Sequence, residues 1–99
     1  MGKIYTVPEI KSTLYPLFKS YDIQKAVLFG SYVKGTAGTD SDIDLLVDSG
    51  LKGLRFVGFL DEVHSALDKD VDLFDVTHIV PGSVIDREIA NSGVKIYEK

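Results

Sequence analysis

Two aspartates on alternate residues open an apolar segment near the middle of the chain. Asp42 and Asp44 alternate there with Ile43 and Leu45. In a β-strand, residues i and i+2 point to the same face, so both carboxylates would lie on one face of the strand. Carboxylates this close repel each other unless a cation lies between them. The pair therefore indicates a site for a hard divalent cation such as Mg²⁺, which takes oxygen ligands and leaves room for water and phosphates.

A glycine–serine pair, Gly30 and Ser31, follows the preceding apolar run. Because glycine has no side chain, the backbone at Gly30 can approach a phosphate closely. The Ser31 hydroxyl and the amides of the following turn can donate hydrogen bonds to phosphate oxygens. Lys34, at the end of that turn, would add positive charge near a triphosphate. These residues predict the nucleotide-binding half of a site.

A third carboxylate is expected, because two metal ions that clamp an in-line phosphoryl displacement need shared ligands. We predict that Asp72 supplies it. Residues 71–76 alternate as a strand that should neighbour the strand of Asp42, and Asp72 shares a face with Phe74. Asp75 is the reserve candidate. The predicted metal ligands and catalytic residues are therefore Asp42, Asp44 and Asp72.

Hydrophobic periodicity predicts helices that alternate with short strands around a small mixed β-sheet, an α/β (α+β) fold. Thr6 is a candidate N-cap for the first helix, and Pro16 is expected to kink or break that helix. The predicted elements are a helix over 7–20, a strand over 25–29, a helical turn over 31–34, a loop over 36–41, a strand over 42–47, a helix over 56–67, a strand over 71–76, a helix over 81–90 and an edge strand over 94–97.

Length and composition predict one domain, residues 1–99, without cysteine chemistry. The net charge of −4 argues against an extended nucleic-acid surface, since such surfaces neutralise phosphates with Lys and Arg. No window approaches the roughly 18 apolar residues of a membrane span, and the N-terminus lacks the apolar core of a signal peptide. A cytoplasmic location is expected.

The Gly30–Ser31 pair, the Ser-Asp-Ile-Asp-Leu-Leu-Val run that includes Asp42 and Asp44, and the later Asp72 together resemble the signature of the DNA polymerase beta-type nucleotidyltransferases. Within that superfamily, the chain is similar to the minimal nucleotidyltransferases, MntA-like antitoxins of HEPN-domain ribonuclease toxins. The resemblance covers nearly the whole chain and implies the nucleotidyltransferase fold.

The resemblance implies Mg²⁺-dependent transfer of AMP from ATP to a hydroxyl, with two metal ions expected. In the antitoxins, the acceptor is a tyrosine of the HEPN toxin, in a type VII toxin–antitoxin system. By position, Gly30 and Ser31 match the phosphate-binding pair of the family, Asp42 and Asp44 match its metal ligands, and Asp72 matches its third carboxylate. Many relatives carry arginine where this chain has Lys34, which keeps the charge but loses the bidentate fork.

Two other functions stay open from the sequence. One is a catalytically weak or inactive module of the same fold that neutralises its partner by direct contact, with which it could form an oligomer. The other is small-molecule modification, although the related antibiotic nucleotidyltransferases resemble longer chains. An enzyme of this size would need its acceptor from another chain.

Overall fold

Helices and strands alternate along the chain in the computed structural model, which describes residues 4–99. The elements are α1 (Val7–Ser20), β1 (Lys25–Phe29), α2 (Ser31–Lys34), β2 (Ile43–Asp48), α3 (Leu54–Leu67), β3 (Val71–Asp75), a 3₁₀ turn (Val76–His78), α4 (Val84–Ser92) and β4 (Val94–Glu98). The predicted mixed α/β fold is confirmed. Within residues 4–99, no helix combines the length and apolar character needed to cross a membrane.

The N-terminus of α1 is capped as predicted. Thr6 Oγ1 accepts a hydrogen bond from the Glu9 amide at 3.2 Å, and the Glu9 side chain accepts one from the Thr6 amide at 2.8 Å. Each side chain thus satisfies a backbone N–H that has no partner within the helix. This capping box fixes where the first helix begins.

Of the predicted kink or break at Pro16, the break is wrong, because one helix runs through the proline. Pro16 lies on the exposed side of α1. Ile10 and Leu14 before the proline, and Phe18 after it, are fully buried on the opposite side. Burying these side chains stabilises both halves of the helix, which outweighs the hydrogen bond that a proline cannot donate.

The four strands form one mixed sheet in the order β3-β2-β1-β4. β1 pairs antiparallel with β2 and with β4, whereas β2 and β3 are parallel. Two register pairs matter for the site: Phe29 lies opposite Asp44, and Asp44 lies opposite Asp72. The strand predicted to carry the third carboxylate is therefore next to the strand that carries the second.

One face of the sheet packs against α1 and α3, and the other carries α4. The core residues of the first face are fully or almost fully buried: Ile10, Leu14, Phe18, Ala26, Leu28, Ile43, Leu45, Val47, Phe59, Val63, Leu67 and Ile96. On the second face, Leu46 of β2 and Ile89 of α4 line one cavity. Since side chains alternate along a strand, Asp44 lies on this second face with Leu46.

Several predicted boundaries differ from the observed ones by one to three residues, and three of these differences have a clear structural cause. β2 begins at Ile43, so Asp42 precedes the strand. β3 ends at Asp75, whose side chain caps the 3₁₀ turn that follows. α4 begins at Val84 because Ser83 caps it, accepting a hydrogen bond from the Asp86 amide at 3.2 Å.

Candidate active site

A tight turn at Gly30 ends β1 and starts α2. Gly30 is buried and has φ +80° and ψ −151°, a conformation that side chains disfavour. Its carbonyl accepts hydrogen bonds from the Val33 and Lys34 amides, both at 3.1 Å. Gly35 ends this single helical turn in the left-handed conformation. The sequence Gly30–Gly35 thus folds as a turn whose first and last residues are glycines with positive φ.

Gly30 lies directly against Asp44. A Cβ atom built on Gly30 would meet the Asp44 carboxylate, with Oδ2 well inside 3.0 Å. No side chain fits at position 30 while the Asp44 carboxylate keeps this position. The structure therefore brings the predicted phosphate-binding turn and one predicted metal ligand together.

Asp44 and Asp72 form the centre of the candidate site. Their backbones are paired in the parallel β2–β3 ladder, and the two carboxyl groups are close enough for the negative charge of Asp72 to raise the pKa of Asp44. Asp44 is partly buried, and Asp72 is exposed at the edge strand. One carboxyl group is thus partly shielded from solvent, and the other faces solvent, where a second substrate could approach.

The pKa of Asp44 is raised from 3.8 to about 6. Burial is the largest cause, because it disfavours the charged form. The negative charge of Asp72 and the hydrogen bond with it come next, followed by the charges of Glu88 and Asp42. Without a cation, the site therefore favours a protonated Asp44 under mildly acidic conditions.

Asp42 is less closely associated with the centre than the alternating pattern predicted. It is exposed and precedes β2, and its charge is the smallest of the named effects on Asp44. Asp42 also lines an open groove of about 520 Å³. The other residues that line this groove are Thr39, Asp40, Ser41, His64, Ser65, Asp68, Lys69 and Asp70.

Across residues 4–99, no group of three or more His, Cys, Asp or Glu side chains is arranged to hold a metal ion. The structure thus assembles two of the three predicted metal ligands, Asp44 and Asp72, and leaves Asp42 beside them. Ser31, the other half of the glycine–serine pair, is the first residue of α2 and is partly buried.

Lys34 and Glu88 form an ion pair beside the site. Lys34 Nζ lies 2.9 Å from Glu88 Oε2, so α2 and α4 are connected. Glu88 also contributes more to the raised pKa of Asp44 than Asp42 does. The sequence analysis missed Glu88 because no motif marks it. It reaches the site only because α4 packs on the second face of the sheet.

Asp75, the reserve candidate, has a structural role instead. Its side chain is buried and accepts hydrogen bonds from the Ser49 amide at 3.0 Å and the Ser49 hydroxyl at 2.6 Å. The Thr77 amide and hydroxyl also donate to it, at 3.1 and 2.7 Å. Burial raises the pKa of Asp75, but these four hydrogen bonds outweigh that effect and lower it. Asp75 therefore joins the ends of β2 and β3 on the face away from Asp72.

Sequence comparison places this geometry in a known family. Residues 12–99 match the family described as polymerase beta, nucleotidyltransferase. A relative from Methanocaldococcus jannaschii, provisionally named protein adenylyltransferase MJ0435, is 30% identical over 92 residues, which cover 91% of this chain and 97% of that protein. The chain belongs to the polymerase beta-type nucleotidyltransferase family and is a nucleotidyltransferase enzyme, as the resemblance implied.

Solved structures narrow the resemblance within that family. A crystal structure of a toxin–antitoxin with AMP-PNP contains a chain that matches with a TM-score of 0.76 and 28% identity, over 90% of this chain and 73% of that one. The fold also matches, with a TM-score of 0.71 and 23% identity, in a structure of a tri-AMPylated Shewanella oneidensis HEPN toxin in complex with its MNT antitoxin. That match covers 95% of this chain and 74% of the other. A crystal structure of a toxin–antitoxin MntA-HpeT mutant matches with a TM-score of 0.73 and 28% identity, over 90% of this chain and 72% of that one, which confirms the predicted resemblance to the MntA-like proteins.

Proposed function

We propose that this chain transfers AMP from ATP to a tyrosine hydroxyl of a HEPN-family toxin, and so acts as the antitoxin of a type VII toxin–antitoxin pair. The observation that carries this proposal is the contact of Gly30 with Asp44, which in turn pairs with Asp72. A HEPN toxin as acceptor is inferred from the similar structure in which an MNT antitoxin accompanies a tri-AMPylated HEPN toxin, and the tyrosine is what the family resemblance implies. We propose residues 1–99 as one catalytic domain.

The acidic residues fit a divalent cation. Asp44 and Asp72 are paired on adjacent strands, and the negative charge of Asp72 raises the pKa of Asp44. A cation would relieve that repulsion. Mg²⁺ commonly uses one or two carboxylates and completes its coordination with water and substrate phosphates, so a full cage of protein ligands is not required. Asp42, Asp44 and Asp72 would hold the ion or ions.

Bound Mg²⁺ would neutralise negative charge on the triphosphate and make the acceptor hydroxyl easier to ionise. The protein residues have separate tasks in the transfer. The Gly30–Ser31 turn binds the phosphates that leave, and Lys34 adds positive charge beside them. Asp72, at the exposed side, accepts the proton of the incoming hydroxyl.

The reaction balances as a single displacement. The hydroxyl oxygen forms a bond to the α-phosphorus of ATP, and the bond from that phosphorus to the bridging oxygen of pyrophosphate breaks. The electron pair of the broken bond leaves with pyrophosphate. The products are an O-adenylylated acceptor, pyrophosphate and one proton.

The test uses ATP labelled either at the α-phosphate or at the γ-phosphate, with Mg²⁺ and the protein encoded next to this gene. We expect label in the neighbouring protein only from α-labelled ATP, and mass spectrometry should place AMP on a tyrosine. The double variant Asp42→Asn/Asp44→Asn should transfer no label. Asp61→Asn is the matched control, because Asp61 is an exposed carboxylate on α3, outside the site.

Two results would contradict the proposal. Transfer of the γ-label would indicate a kinase reaction. Inhibition of the neighbouring protein without any label transfer by the wild type would indicate a module that acts by direct contact.

A further inference from the structure

The ion pair between Lys34 and Glu88 connects the phosphate-binding turn to the last helix. Lys34 ends α2, and Glu88 lies near the middle of α4, 54 residues later. The side chain of Lys34 is 51% exposed, and that of Glu88 is 29% exposed. The two groups therefore meet at the rim of the site, where solvent and a polyphosphate can both reach them.

The position of Lys34 relative to the Gly30 turn is fixed by the backbone. The Lys34 amide donates to the Gly30 carbonyl at 3.1 Å, so Lys34 lies one helical turn from the glycine that contacts Asp44. Its ammonium group can thus reach the region where a triphosphate would lie. In the structure, that same ammonium group is bound to Glu88 instead.

Glu88 is also close enough to the centre of the site to affect it. Its negative charge contributes to the raised pKa of Asp44, together with Asp72 and Asp42. A triphosphate would enter the same negative surroundings. Glu88 would therefore oppose nucleotide binding in two ways, because it is bound to the nearby Lys34 ammonium group and adds a negative charge.

We propose that Glu88 competes with the nucleotide for Lys34, so that the Lys34–Glu88 ion pair opens when the triphosphate binds. This inference rests on the proposed nucleotide site. It assigns Glu88 an effect on that site that acts through Lys34. Exposed ion pairs add little to protein stability, because water screens both charges. A triphosphate carries several negative charges and can therefore displace a single carboxylate from the lysine.

The proposal predicts that Glu88→Gln binds nucleotide more tightly than the wild type. The expected decrease in Kd is about two- to fivefold, the range that corresponds to releasing one exposed ion pair. Lys34→Met should weaken binding by a similar or larger factor. In the Lys34→Met background, most of the gain from Glu88→Gln should disappear, because no lysine remains to be released.

The experiment is calorimetric titration of the full chain with Mg²⁺ and α,β-methylene ATP, in which the bond that would break is replaced by a stable one. Wild type, Glu88→Gln, Lys34→Met and the double variant form a mutant cycle. Glu98→Gln is the matched control, since Glu98 forms an exposed ion pair with Lys95 on β4, at 2.6 Å. Thermal unfolding of each variant shows whether it is folded.

The outcomes separate this inference from the proposed function. If Glu88→Gln gains affinity equally with and without Lys34, Glu88 acts only by through-space repulsion, and the competition is refuted. Unchanged or weaker binding by folded Glu88→Gln also refutes it. If no variant binds the analogue, the proposed nucleotide site itself is wrong, and the competition fails with it. A loss of the gain in the double variant, with no change in Glu98→Gln, supports the proposal.

Discussion

Replacing Asp44 with asparagine should stabilise the protein without nucleotide and abolish the proposed adenylyl transfer. Asparagine has nearly the shape of aspartate but carries no charge, so it removes both the cost of burying a carboxylate and the repulsion from Asp72. These two effects are the main reasons that the pKa of Asp44 is raised. A residue kept for chemistry would thus be a cost to folding.

The size of this gain in stability follows from the pKa of Asp44. A change from 3.8 to about 6, at about 1.4 kcal/mol for each pKa unit, sets an upper limit of about 3 kcal/mol. Asp44 is only partly buried, and solvent screens part of its charge, so we expect about 1 to 2 kcal/mol. For a domain of this size, the melting temperature should increase by roughly 5 to 10 °C.

The gain should depend on pH in a defined direction. Between the unfolded pKa near 3.8 and the folded pKa of about 6, the folded state holds a proton that the unfolded state releases. Above about pH 6, the charged Asp44 carboxylate therefore destabilises the folded wild type by the full amount. This destabilisation disappears as the pH falls towards 4. Asp44→Asn should be more stable than the wild type at about pH 8 and nearly equal to it near pH 4.

Urea unfolding followed by circular dichroism at these two pH values is the measurement, in metal-free buffer with chelator. Asp61→Asn should show no difference at either pH, because Asp61 is exposed on α3. If Asp44→Asn is less stable than the wild type at pH 8, or if its advantage is the same at both pH values, the electrostatic explanation of the site is refuted.

Three further predictions concern single residues. Gly30→Ala should lose at least about 2 kcal/mol of stability and most of its activity, since the new Cβ would meet the Asp44 carboxylate. Thermal melts and the transfer assay measure both effects. Gly38 has open space around it, so Gly38→Ala should change neither stability nor activity. Asp75→Asn should lower the free energy of unfolding by about 2 to 3 kcal/mol at neutral pH, measured by urea unfolding. Because the pKa of Asp75 is lowered, this loss should shrink as the pH falls below about 4. A loss that stays constant with pH would contradict the charge argument. Pro16→Ala should gain about 1 to 3 kcal/mol, measured by thermal unfolding, by restoring a helix hydrogen bond at an exposed position, and no gain would show that α1 is already relaxed around the proline.

The sequence was sufficient to predict that Asp44 and Asp72 lie next to each other. The alternation of side chains along a strand indicates which face of the sheet each residue occupies, and the order of helices and strands indicates which strands carry them. Asp42 could not be placed as well. Whether a ladder begins at residue 42 or 43 depends on a backbone hydrogen bond to another segment, here from the Ile43 amide to the Asp70 carbonyl at 3.1 Å. Because Asp42 precedes the first residue of β2, the alternation of side chains along the strand does not determine which way its side chain points.

Contacts between distant elements explain the other differences. Glu88 reaches Lys34 because α4 packs on one face of the sheet, a fact that no local pattern contains. Pro16 is tolerated because core packing on the other side of α1 outweighs a local preference. The resemblance to a family identified the chemistry, and the packing of the elements determined which side chains surround it.

The parallel pairing of β2 with β3 fixes the distance between the backbones of Asp44 and Asp72. Asp44 and Asp72 are at the same level of adjacent strands, which lie about 4.8 Å apart in any sheet. Two oxygens bound to one Mg²⁺ are at most about 4.2 Å apart, so small side-chain adjustments would suffice for the pair to bind the proposed ion. Mutations that loosen the α1–α3 layer should therefore lower stability well before they alter this spacing, and the chemistry can tolerate considerable drift in the core.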